Sequence, residues 1–85
     1  MNSAQPLLDS KTAVRLPYLS QAQAEFSLSQ TLRRLAHAAR REAQAWEAQG
    51  KYQKFADAML EGRRLWRDAK WHLERAKMNH ERAIR

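Results

Sequence analysis

Three histidines, His37, His72 and His80, are the side chains best suited to general acid–base or metal chemistry near neutral pH, and none has neighbours that would use it. No second histidine stands four residues away, the spacing that turns two imidazoles toward one metal on a helical face. Cysteine is absent, which removes thiolate ligands, thiol nucleophiles and disulfides together. Ser20, Ser27, Ser29 and Thr31 lack an adjacent base to activate them and read as caps or helix-surface hydroxyls. Gly50 and Gly62 are the only glycines, so no glycine-rich loop exists to cradle a phosphate. The expectation is a non-enzyme with no catalytic residue, no metal and no cofactor.

The elements that carry these residues are helical. In 85 residues there are two glycines and two prolines, while Ala, Leu, Gln, Glu, Lys and Arg, which lose least on entering a helix, dominate. A chain of this length makes one domain with little room to enclose a cleft. Apolar runs such as Leu7-Leu8 and Ala58-Met59-Leu60 are too short to span a bilayer, and no basic, apolar, small-residue leader follows Met1. A cytoplasmic protein without membrane insertion is expected.

Residues 1–19 hold both prolines, Pro6 and Pro17, and no sustained period, which predicts a flexible or docking arm. Pro17 disfavours helix before it, and Ser20 followed by Gln23 forms a candidate capping box, so the first helix is expected over about 20–49. Leu28, Leu32, Leu35, Ala39 and Trp46 then recur three and four apart, with Glu42 as the polar member of the stripe. Glu42 is expected to pair with an arginine or to fix register. Gly50 breaks the phase and predicts a turn. Beyond it Tyr52, Phe55, Met59, Gly62, Trp66, Ala69, Leu73, Ala76, His80 and Ala83 alternate three and four apart without a skip, predicting a second helix over about 51–84 that lies along the first. Gly62, Ala69 and Ala76 are placed to receive bulky side chains from the facing helix, and His80 to be a buried or partner-bonded polar group.

The resulting fold is all-α, an antiparallel two-helix hairpin with arms about 40–50 Å long at the standard rise. Such a hairpin is thin. A second copy, completing a four-helix bundle, supplies the missing contact more readily than the arm, because identical stripes are self-complementary. The homodimer or hairpin seam is therefore expected to comprise Leu28, Leu32, Leu35, Trp46, Tyr52, Phe55, Met59, Trp66 and Leu73.

Charge bears on the partner. Lys and Arg number 16 against 9 Asp and Glu, a net charge of +7. Residues 1–30 balance, with Lys11 and Arg15 against Asp9 and Glu25, so the excess lies in residues 31–85. Outside the seam of the second helix, Arg64, Arg67, Trp71, Arg75, Met78, Arg82 and Arg85 fall three or four apart. Trp and Arg are enriched at interface hot spots and Met adapts to varied contacts, so this stripe is the candidate partner-binding face, suited to a host protein with an acidic or mixed apolar surface. A large aromatic is equally at home in a core, and then the stripe packs against the arm or a dimer mate. Nucleic acid is the alternative partner, since the same arginines neutralise phosphates and a tryptophan stacks on bases. Against it, Asp57, Glu61, Asp68, Glu74 and Glu81 interrupt the basic surface, with Lys70–Glu74, Lys77–Glu81 and Glu81–Arg85 spaced to pair along the helix.

The run Gly50-x-Tyr52-x-x-Phe55-Ala56-x-x-Met59-x-x-Gly62, followed by Trp71-x-x-x-Arg75-Ala76-x-Met78, resembles the small bacterial AraC-negative-regulator (ANR) family over about residues 36–80. Phe55 replaces one of the family's paired alanines, Met59 its first tryptophan, and Asn79 stands where its cysteine would be. The resemblance implies an oligomeric helical protein that binds a transcription activator and blocks its dimerisation or DNA contact, of a kind often carried on phages and other mobile elements.

Overall fold

A computed structural model describes the backbone of residues 10–84 and the side chains of residues 15–84. Two helices account for it: α1 over Ser10–Ala48 and α2 over Tyr52–Ile84, packed antiparallel along their lengths. The principal extents are 70 × 24 × 12 Å. The smallest is close to the diameter of one helix with its side chains, so the hairpin is a single layer with two broad faces.

The turn follows from one residue. Gly50 adopts φ 73°, a conformation that costs a glycine nothing sterically. With it there, the Lys51 amide donates to the Trp46 carbonyl at 2.9 Å and the Gly50 amide donates to the Glu47 carbonyl at 2.9 Å. These two bonds are the Schellman closure, which satisfies carbonyls the end of α1 would leave orphaned. The Phe55 amide then donates to the Lys51 carbonyl at 3.0 Å and starts α2.

The expected helix start near Ser20 is corrected: α1 begins at Ser10 and runs through Pro17. A proline inside a helix removes one backbone bond and crowds the preceding turn. Packing explains why the helix continues: Tyr18 is half-buried with the Arg82 guanidinium of α2 6.0 Å from its ring centroid, and Arg15 is half-buried one turn before it. Ser20 accordingly sits mid-helix and exposed, not at a cap. The rest of the expected arm, residues 1–9, lies outside the described residues.

The seam is also displaced from the expected stripes. On α1 the sheltered positions are Arg15, Tyr18, Ala22, Glu25, Ser29, Leu32, Ala36, Ala39, Ala43 and Trp46. On α2 they include Phe55, Ala58, Gly62, Leu65, Ala69, His72, Ala76, Asn79 and Ala83. Both sets keep the three-four alternation, but the wheel is turned so that alanine, not leucine or tryptophan, lies between the axes. Among the expected seam residues, Leu32, Trp46, Phe55, Met59 and Leu73 are half-buried, whereas Leu28, Leu35, Tyr52 and Trp66 are exposed, as are Glu42 and His80. Steric size accounts for the shift. Small side chains let the backbones approach, and the large ones then straddle the contact line. A Cβ built on Gly62 would stand 3.5 Å from the Ala39 Cβ and 3.6 Å from the Ala36 carbonyl oxygen, so Gly62 faces small residues instead of receiving a bulky one.

Candidate functional site

The rotated seam leaves each helix with a row of residues on either side of it, and the two broad faces differ in chemistry. On the first face, Leu19, Phe26, Arg33 and Arg40 follow one another at seven-residue intervals along α1. Met59, Trp66, Leu73 and His80 do the same along α2. Because the helices are antiparallel, Arg40 meets Met59, Arg33 meets Trp66, and Phe26 meets Leu73. Between the rows run two grooves floored by seam alanines. One, of about 290 Å³ near the turn, is lined by Ala36, His37, Arg40, Ala58, Met59, Gly62, Arg63 and Trp66. The other, of about 660 Å³, is lined by Leu19, Ala22, Gln23, Phe26, Leu73, Ala76, Lys77, His80 and Glu81. Trp66, 41% exposed, is held by an edge contact with His37 at 5.9 Å and by the Arg33 guanidinium 5.5 Å from its ring centroid. Arg33, Arg40 and Arg63 pair with no carboxylate among the described residues.

The second face carries the stripe singled out from sequence. Arg64, Arg67, Trp71, Arg75, Met78 and Arg82 are all exposed there or on the adjoining back of α2, Trp71 at 56%. Two of the stripe's four arginines are paired with carboxylates within the chain. Arg64 pairs with Glu61 at 2.6 Å and lies 3.8 Å from Asp68. The hydrogen bond from Arg64 holds the Glu61 carboxyl below the usual carboxylate range, and the same bond raises the Arg64 pKa. Arg75 stacks 4.8 Å from the Trp71 ring centroid and stands 3.8 Å from Glu25, and Arg82 is committed to Tyr18. Leu28 and Leu35 of α1 are exposed on the same side, so apolar groups and charges of both signs are mixed across this face. Lys77 pairs with Glu74 at 3.5 Å, not with the expected Glu81.

Sequence reasoning missed a buried polar cluster. The Glu25 carboxylate accepts from His72 Nδ1 at 2.5 Å and from Gln21 Nε2 at 3.0 Å. The His72 bond chiefly lowers the Glu25 pKa, with help from the charges of His72 and Arg75 and the Gln21 bond, while burial opposes the shift. Ser29 Oγ donates to the Ala69 carbonyl of the other helix at 2.8 Å. Glu25, rather than Glu42, is thus the acid that joins the helices; Glu42 accepts from Trp46 Nε1 at 3.3 Å within α1. The available signal was the alternation itself, continued through small and polar residues: Ala22, Glu25, Ser29, Leu32, Ala36.

Among the described residues no group of three or more His, Asp or Glu side chains is placed to hold a metal ion. No described helix is long and apolar enough to cross a membrane. Compared with models of known families, with curated proteins and with solved structures, the chain finds no match.

Proposed function

We propose that this chain is a non-enzymatic helical regulator that binds and inhibits a host protein, and that it does so as a homodimer forming a four-helix bundle. One observation carries the reading: the helices meet on alanine, and the large apolar side chains, Trp66, Trp71, Phe26, Leu28, Leu35 and Met78 among them, stand exposed on the two faces. Large apolar side chains grouped in the open on the faces of a small protein mark interaction surface. The ANR-like pattern around Gly50, Tyr52, Trp71 and Arg75 supplies a narrower target, a transcription activator. The mixed-sign face with Trp71 and Met78 suits a second copy, because a two-fold contact sets its acids against its own bases. The arginines of the other face, without a carboxylate among the described residues, support nucleic acid as a second reading.

Affinity capture with the full chain tests the proposal. Tagged protein is compared with two double variants, Trp71→Ala with Met78→Ala and Arg40→Glu with Arg63→Glu, in nuclease-treated bacterial lysate, alongside sedimentation of each. A stoichiometric protein that one variant loses while its helicity is intact supports the regulator reading. Recovery of nucleic acid alone when nuclease is omitted overturns it.

A further inference from the structure

The turn-proximal groove is basic without being self-neutralised, and that asymmetry points to its occupant. Resting on the protein-binding reading above, we propose that the face formed by the Leu19–Arg40 and Met59–His80 rows docks an amphipathic helix of another protein, apolar along one stripe and carrying carboxylates where it passes Arg33, Arg40 and Arg63.

Geometry sets the shape. Rows of side chains at seven-residue intervals on two antiparallel helices are about 10.5 Å apart per step at the helical rise, and three such steps make a trough about 31 Å long. A third helix presenting apolar side chains at heptad spacing fits a trough of that periodicity, as in helix-in-groove recognition. Chemistry sets the polarity along it. The distal end offers Leu19, Phe26 and Leu73, while the end near the turn offers arginines around Met59 and Trp66. The docked helix is therefore apolar over the distal half and acidic over the turn-proximal half.

The competing occupants fit less well. A second copy laid head to tail on this face would bring Lys77 and His80, with Glu81 the one carboxylate lining that end, toward the turn-proximal arginines; laid the other way, it would set arginine against arginine. Duplex nucleic acid calls for cations along the whole footprint, yet the distal half is chiefly apolar and its lysine, Lys77, is paired with Glu74. Stacking of a base on Trp66 is obstructed by Arg33 and His37, already packed on that ring.

Two synthetic helices of about 21 residues, a length matched to the trough by the helical rise, test the proposal with the full-length protein. Both carry one leucine stripe, and they differ only in glutamate or lysine along the flanks. Calorimetric titration is expected to show binding of the glutamate peptide and little of the lysine peptide. Arg40→Glu with Arg63→Glu should weaken the glutamate peptide at least about tenfold, the equivalent of 1.4 kcal/mol, and Phe26→Glu should weaken it without altering helicity. Equal binding of both peptides, or binding of neither, overturns the inference. If the full chain still captures a stoichiometric protein in that event, the regulator reading survives alone. Preferential retention of a DNA duplex, lost in the arginine variant, reassigns the face to nucleic acid. Conversion of a dimer to a monomer by Phe26→Glu reassigns it to self-association.

Discussion

The half of the hairpin next to the turn and the half away from it share one repeat but are built from different side chains. Near the turn, Ala36, Ala39 and Ala43 face Ala58 and Gly62. Farther out the same seam positions hold Glu25, Ser29, His72 and Asn79, interleaved with Ala22, Ala69 and Ala76. Alanine against alanine gives close contact without direction, since a slip along the helix exchanges one methyl for another. The Ser29–Ala69 and Glu25–His72 bonds are met in one register only. The near half thus supplies tight packing and the far half alignment, a division known from coiled coils in which a polar seam residue fixes register.

The largest effect is expected from overfilling the near half. Ala43 is 0% exposed, and Ala43→Leu forces the backbones apart there. Extra methylenes in a closed seam cost about 1–3 kcal/mol, and each kcal/mol lowers the melting temperature by about 4–8 °C in a domain of this size. Ala38→Leu, at an exposed position of the same helix, is the control and should leave the midpoint nearly unchanged. Equal midpoints for the two variants would mean that the helices are not drawn together on alanine.

The second contrast is in pH. The folded Glu25 carboxyl titrates below its ordinary value near 4.5, because His72 hydrogen-bonds its charged form. A carboxyl lowered by folding contributes stability that is complete above the unfolded pKa and disappears as pH falls through the folded one. Denaturant midpoints should therefore hold down to about pH 4.5 and decline below it, with a shallower decline in Glu25→Gln. Glu61, lowered by Arg64, titrates in the same window at the exposed edge, so Glu61→Gln should alter the curve less. A larger effect from Glu61 than from Glu25 would refute the assignment of register to the far half.

How much of this was legible in the sequence depends on which property is asked for. The turn was, because Gly50 breaks the phase of both stripes and nothing else in residues 31–85 does. The start of α2 and the heptad spacing were also legible. The rotation of the seam was not, because Leu28 and Leu35 occupy one wheel position while Ala22, Ser29, Ala36 and Ala43 occupy its neighbour, both beside the shared row of Leu32, Ala39 and Trp46, and hydrophobicity alone favours the larger side chains. Closeness of approach decides between them, and it depends on both helices at once. The start of α1 was hidden by Pro17, whose local cost is overcome by packing of Tyr18 and Arg15. The stripe from Arg64 to Arg82 lies off the seam, as its spacing implied, yet two of its arginines, Arg64 and Arg75, have carboxylates of their own, whereas Arg33, Arg40 and Arg63 of the other face have none among the described residues.

A smaller loss is expected at Ser29. Removing its hydroxyl in Ser29→Ala forfeits a bond to the Ala69 carbonyl worth about 0.5–1.5 kcal/mol. Alanine's better helix propensity returns a few tenths of a kcal/mol. A net loss in the denaturant midpoint with unchanged slope would sharpen the contrast between the halves, and a net gain would remove Ser29 from the aligning group.

The smallest effect, and the one of opposite sign, belongs to Gly62. It sits mid-helix, where glycine is about 0.5–1 kcal/mol less favourable than alanine. Its neighbours across the seam leave space for one methyl, since the nearest atom to an added Cβ is 3.5 Å away, an ordinary van der Waals distance. Gly62→Ala is therefore expected to stabilise the hairpin by up to about 1 kcal/mol, extending alanine-on-alanine packing through the near half. Gly62→Leu should destabilise it, because the space accepts one carbon and the Ala36 carbonyl lies 3.6 Å beyond it. If Gly62→Ala instead lowers the midpoint, the two backbones lie closer here than a methyl permits, and the glycine is a requirement of the near half's packing.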